Sequence, residues 1–179
     1  IDEVNMLLSV DDHWTPMFSL LIYTGLRRGE ALGLSWDNVN LDGDHPTVKI
    51  DRTVVSTRSN GVIFSKPKTE KSNREVTLNP AVAGDLRIIK KRQMEQALRL
   101  GTSWSKSNLV FPNGVGGPMQ PSVVNRALKR HVAKAGIDRH VRVHDLRHTC
   151  GSLMHQNRVS AKEIQIILGH ENIQTTLNL

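Results

Sequence analysis

Cysteine is nearly absent. Cys150 is the only one in 179 residues, so no internal disulfide can form, and a reducing, intracellular setting is expected. Tyrosine is as scarce, with Tyr23 alone. No apolar run approaches the ~20 residues needed to span a bilayer, and no signal or targeting segment is visible. Internal repeats and low-complexity tracts are missing too. Acids are in the minority, 17 against 24 lysines and arginines, for a net charge of +7. That balance favours a polyanionic partner, DNA or RNA first. With 38% hydrophobic and 23% charged residues, the composition is that of a soluble globular chain, long enough for one compact domain. The chain opens on Ile1 rather than Met, which suggests a piece of something longer.

Periodicity divides the chain into helices around a small sheet. A short helix is expected over 2–10, capped by Asp2, with Met6 and Leu7 on its apolar face. Thr15-Pro16 is read as an N-cap followed by proline at the first helical position. The run 17–23 is apolar nearly all round and is expected to be a buried helix closed by Gly25, with a short helix over 28–34 after it. Residues 47–54 then alternate as a half-buried strand, and 62–64 and 75–78 offer two more. Asn60-Gly61 is a hairpin signal between the first two. Further helices are expected from Asn79-Pro80 to about Leu100, from Pro121 to Gly136, from Val143 or His144 to about Asn157, and after Ser160, whose Glu163 completes a capping box. That last helix stops at Gly169, and Asn172 caps another. The expected class is mainly α with a small three-stranded antiparallel sheet, α+β.

Three segments carry chemistry. In Thr24-Gly25-Leu26-Arg27-Arg28-Gly29-Glu30, an arginine rooted in a tight helix junction has a fixed backbone, and its guanidinium fork suits a phosphate. Read alone, the segment is better explained as a solvated arginine pair at a helix junction. In His144-Asp145-Leu146-Arg147-His148, positions three apart share a helical face, which pairs His144 with Arg147. A histidine beside an arginine suits binding and proton transfer at a phosphate. His144 and His148 have metal-ligand spacing, but the glutamate of a zinc-protease motif is missing and the arginine would repel a cation. His148 is read as a packed or surface helix histidine. In Leu168-Gly169-His170, a glycine ends one helix and presents a histidine at the start of the next.

The order and spacing of these segments resemble the tyrosine recombinase (phage integrase) family, catalytic domain. Leu26-Arg27 with Glu30, Leu34-Ser35-Trp36-Asp37-Asn38-Val39, Pro67-Lys68-Thr69, His144-Asp145-Leu146-Arg147-His148-Thr149 and Leu168-Gly169-His170 match it across nearly the whole chain. The resemblance implies that residues 1–179 form a single catalytic domain without the usual N-terminal DNA-clamping domain. It implies that Arg27 and Arg147 clamp the scissile phosphate, that His144 and His170 add hydrogen bonds and assist proton transfer, and that Lys68 is the general acid. Lys66 and Lys71 compete with Lys68 for that role and otherwise contact DNA, as Arg28 and Arg74 do. Glu30 would orient the site without touching the phosphate. No metal or other cofactor is implied, because two arginines supply the charge.

The family's nucleophile is a tyrosine shortly after the position of His170, and residues 173–179 contain none. Tyr23, inside the apolar helix, is read as a core residue and rejected for that role. The nucleophile is expected just beyond Leu179, and the chain as it stands is expected to be inactive. The implied function is site-specific DNA recombination or integration, on phage or another mobile element, through a 3′-phosphotyrosyl intermediate. The implied partner is double-stranded DNA at specific sites, bound by a homotetramer of the full-length protein, in the cytoplasm of a bacterium and without a membrane. Two other readings share these residues: a non-catalytic DNA-binding relative, and a type IB topoisomerase-like enzyme.

Overall fold

The computed structural model describes residues 2–57, 59, 61–65, 73–170 and 172–177. Three helices open the chain: α1 (Asp2–Leu8), α2 (Thr15–Thr24) and α3 (Arg28–Gly33). Five short strands follow, β1 (Val39–Asn40), β2 (Thr47–Ile50), β3 (Thr53–Thr57), β4 (Gly61–Ser65) and β5 (Arg74–Thr77). The rest is helical: α4 (Pro80–Leu100), α5 (Pro121–Lys134), α6 (Val143–Gln156), α7 (Ala161–Leu168) and α8 (Gln174–Leu177). Mainly helical with a small antiparallel sheet is the class expected from the sequence.

Helix α2 is the centre of the core. Phe18, Leu20, Leu21 and Ile22 are fully buried, each worth roughly 1.5–3 kcal/mol of apolar burial. α2 packs against α6, α4, α1 and α3. One residue of α2 departs from the expectation: Tyr23 is 37% exposed. The apolar run is not buried all round, because at 100° per residue one position of α2 faces outward between its covering helices. The start of α2 is also built differently. Trp14 holds the cap position without a side-chain bond, and the Thr15 hydroxyl donates to the Val10 carbonyl at 2.6 Å.

The strands are arranged otherwise than the alternation suggested. The expected 47–54 strand is two strands, broken at Asp51-Arg52. β2 pairs antiparallel with β1 on one side and β5 on the other, with Val48 opposite both Val39 and Val76. β3 and β4 form a separate hairpin, with Val54 opposite Phe64. Arg52 supplies the reason for the break. Its Nε donates to the Gly33 carbonyl at 2.6 Å and its guanidinium lies over the Phe64 ring, 4.9 Å from the centroid. The backbone turns there to reach α3 instead of continuing the sheet.

Helix boundaries follow their local signals closely. The Asn79 side chain accepts from the Val82 N–H at 2.8 Å to start α4. Ser160 and Glu163 form the reciprocal box that starts α7. Gly25 and Gly169 end α2 and α7, both at φ +64°. At Gly25 the requirement is double, because a Cβ would also fall 2.2 Å from Leu168 Cδ2 and 3.2 Å from Cys150 Sγ. α2, α6 and α7 therefore meet at a point where only glycine fits.

Candidate active site

The C-terminal end of α7 organises the site. The last carbonyls of a helix have no partner within it and form its negative pole. Here three consecutive ones each hold an arginine from a different part of the chain. The Ile167 carbonyl accepts from Arg74 Nε at 2.8 Å, the Leu168 carbonyl from Arg147 Nη2, and the Gly169 carbonyl from Arg27 Nη2 at 3.3 Å. Arg147 is held a second time, by the Gly25 carbonyl at 2.5 Å. Its guanidinium plane is thus fixed by backbone on both sides.

Among the described residues one carboxylate, Glu30, serves this cluster. Glu30 accepts from Arg27 Nη1 at 2.8 Å and from the Arg27 backbone N–H at 2.8 Å. It also pairs with Arg74 Nη2 at 3.0 Å. Burial by itself would raise the Glu30 carboxyl, but the Arg74 and Arg27 donors outweigh it and hold the group below its ordinary value. Burial, then the charges of Arg27 and Arg74, pulls the Arg147 guanidinium down to about 10. It therefore remains a cation at neutral pH.

Burial and the neighbouring cations disfavour the protonated form of His170 and His144. Burial, then Arg147 and Arg27, pushes His170 down to about 4. Its ring is fixed by Nδ1 lying 2.9 Å from the Thr176 hydroxyl. His144 precedes Arg147 by three positions on α6 and is also lowered, by burial and then by His148 and Arg147. The two α6 histidines meet edge to face, with centroids 4.7 Å apart.

Above this floor lies a cavity of about 670 Å³ lined by Arg27, Arg28, His144 and Arg147 from the expected set. Its far wall was not foreseen. Arg126 and Lys129 on α5, with His140 and Arg142 from the loop before α6, complete a lining that contains no acid among the described residues. Arg126 and Lys129 are three apart and share one face of α5. That spacing is visible in the sequence, whereas the face it turns to is not. Arg28 bonds across the cavity to Asn125 Oδ1 at 2.7 Å.

The structure thus brings Arg27, His144, Arg147 and His170 into one region. His148 is half-buried on α6 and is not among the cavity-lining residues, in keeping with a packed helix histidine. Arg74 departs from the expectation of a DNA contact. Its side chain is only 7% exposed, and its guanidinium is engaged with Glu30 and the Ile167 carbonyl, so it braces the floor. Lys66, Lys68 and Lys71 lie outside the described residues.

The family model for the phage integrase family matches residues 2–179. The chain belongs to that family. It is 28% identical over 174 residues to a tyrosine recombinase XerC-like protein of Caldanaerobacter subterraneus subsp. tengcongensis, a match covering 91% of this chain and 44% of that protein. The chain spans about half the length of the curated relatives it matches. Among solved structures, the XerA recombinase is 25% identical with a TM-score of 0.76, over 98% of this chain and 55% of that one. The Tn1549 transposon integrase in complex with a circular intermediate DNA superposes with a TM-score of 0.80 at 19% identity, over 98% and 57%. At that identity the likeness shows the fold, that of tyrosine recombinase catalytic domains. Among the described residues no helix is long and apolar enough to cross a membrane.

Proposed function

We propose that this phage integrase family member is the catalytic domain of a site-specific DNA recombinase working through a 3′-phosphotyrosyl intermediate. The observation that carries the reading is the pair Arg27 and Arg147, both lining one basic cavity and both tied to the end of α7. Two guanidinium groups held by backbone and carboxylate are preorganised for an anionic, trigonal-bipyramidal phosphorus and need no rearrangement as charge develops. By analogy with an oxyanion-hole donor, losing either would slow the chemical step ~10²–10³-fold.

In this reading the phenolic oxygen of a tyrosine beyond Leu179 attacks the scissile phosphorus and passes its proton to water. The bond from phosphorus to the 5′-oxygen breaks, and Lys68 delivers a proton to that oxygen. His144 and His170 donate hydrogen bonds to the phosphate oxygens. Glu30, with Arg74 behind it, keeps Arg27 in place. A 5′-hydroxyl of a new strand then attacks the phosphotyrosine and releases the phenol, so one phosphodiester replaces another without an external energy source. Double-stranded DNA at specific sites is the partner, gripped in part by Arg28, Lys66 and Lys71, and the full-length protein acts as a homotetramer in the cytoplasm. The domain without such a tyrosine binds DNA but forms no covalent bond to it.

The test extends the protein to its natural end and offers it a nicked duplex that traps the covalent complex. Peptide mapping should find the DNA on a tyrosine soon after residue 179. Attachment at the exposed Tyr23, or attachment that survives changing the C-terminal tyrosine to phenylalanine, overturns the assignment.

A further inference from the structure

The backbone of His170 is locked from one side. Its N–H donates to the Gln165 carbonyl at 3.0 Å, and its carbonyl accepts from Gln165 Nε2 at 3.1 Å. Gln165 is itself buried on α7. These two bonds fix where the residue sits but leave the ring free to rotate and to carry its proton on either nitrogen. Among the described residues one hydrogen bond addresses the ring: Nδ1 lies 2.9 Å from Oγ1 of Thr176 on α8. Both residues are buried, His170 at 8% and Thr176 at 6% exposure. Burial, then the charges of Arg147 and Arg27, disfavours the imidazolium. A neutral imidazole has one donor nitrogen and one acceptor nitrogen, and its partner decides which is which.

We propose that Thr176 is a positioning residue, whose hydroxyl donates to Nδ1 of His170 and so keeps the proton on Nε2. The ring can then act as a hydrogen-bond donor from the edge turned away from α8. A threonine that contacts no substrate thus sets the chemistry of one that does, and the seating of α8 becomes a condition for a donor-competent His170. The recombinase reading enters only in what Nε2 donates to, a phosphate oxygen of the cleaved strand.

The test separates the two. In the full chain, the ring ¹⁵N signals of His170, assigned by their loss in His170→Asn, report the tautomer at neutral pH. The native protein should show Nδ1 unprotonated and Nε2 protonated. Thr176→Val should lower that tautomer ratio about fivefold to tenfold, the equivalent of one hydrogen bond, and Thr176→Ser should restore it. In the protein extended to its natural end, Thr176→Val should slow single-turnover cleavage at saturating DNA roughly tenfold to hundredfold, as loss of a histidine's outer partner does elsewhere. DNA affinity should hold, and serine should rescue the rate. A proton on Nδ1 in the native ring, a ratio indifferent to valine, or full-rate cleavage with a displaced ratio overturns the proposal. A native extended protein that cleaves no DNA counts instead against the recombinase reading and leaves the ring measurement standing.

Discussion

The floor and the far wall of the cavity are both basic, yet they are built on opposite principles. In the floor, Arg147 and Arg74 are buried, and each is bonded to a carbonyl at the end of α7. Arg27 is half-exposed but tied to Glu30 and Gly169. In the wall, Arg126 and Lys129 stand on the surface of α5 without an acidic neighbour among the described residues of the lining. A buried cation without partners would cost several kcal/mol, so the floor can hold its charge only by fixing it in place. An exposed cation is solvated, so the wall can hold its charge at little cost and with little geometric definition. The floor is suited to gripping one phosphate in one pose, the wall to attracting a polyanion in many.

The largest expected difference between the two comes from Glu30. Glu30→Gln removes the charge that partners both Arg27 and Arg74, and should lower stability by roughly 3–5 kcal/mol, the usual cost of breaking a buried ion pair. Denaturant melts would show it as a lower midpoint at unchanged slope. A loss under about 1 kcal/mol, the range of an exposed pair, would mean that the floor is no more fixed than the wall.

Acid should distinguish the regions next. His170 is held near 4, well below its ordinary value near 6.5. His131 is also lowered, chiefly by burial, with Nε2 bound to the Leu7 carbonyl at 2.8 Å and Nδ1 buried with no partner among the described residues. For both, the folded state resists a proton that the unfolded chain accepts. Their stabilising effect is therefore complete above pH 6.5 and is lost as pH falls below it, for His170 down to about 4. For His170 the loss is at most about 3 kcal/mol, at 1.36 kcal/mol per pH unit. Melting temperatures flat between pH 7 and 4.5 would contradict this.

The smallest effect on the fold is expected in the wall. Arg126→Ala should leave the melting temperature unchanged and weaken DNA binding. It should also flatten the dependence of log affinity on log salt by about one unit of slope if that residue meets a phosphate. A lost fold with an unchanged salt slope would reverse the roles assigned to wall and floor.

The same contrast explains what could be read from the sequence. Helix ends were legible because their causes are local: Asn79 before Pro80, the Ser160–Glu163 box, Gly25 and Gly169 at left-handed closures. The resemblance also singles out Arg27, His144, Arg147 and His170, and the fold brings these four into one region. Long-range pairing was not legible. Nothing near Asp51-Arg52 shows that Arg52 will bond to Gly33 and break an otherwise continuous alternation. Nothing near Arg74 shows that its charge will be buried against Glu30, 44 positions away. Tyr23 was misread because an apolar run does not say which of its faces the neighbouring helices leave open. Arg126 and Lys129 were overlooked because a basic helical face is ordinary until the fold turns it towards a site. The Thr176 contact has a faint signal at most, a hydroxyl six positions after a histidine.

The central claim is that Arg27 and Arg147 grip one phosphate together. A structure of the domain on a duplex carrying its nicked recombination site tests it most directly. The claim predicts the scissile phosphate within hydrogen-bond distance of both guanidinium groups, with Arg74 still on Glu30. A phosphate held by Arg126 and Lys129 alone, with the Arg27 and Arg147 donors pointing elsewhere, would contradict it.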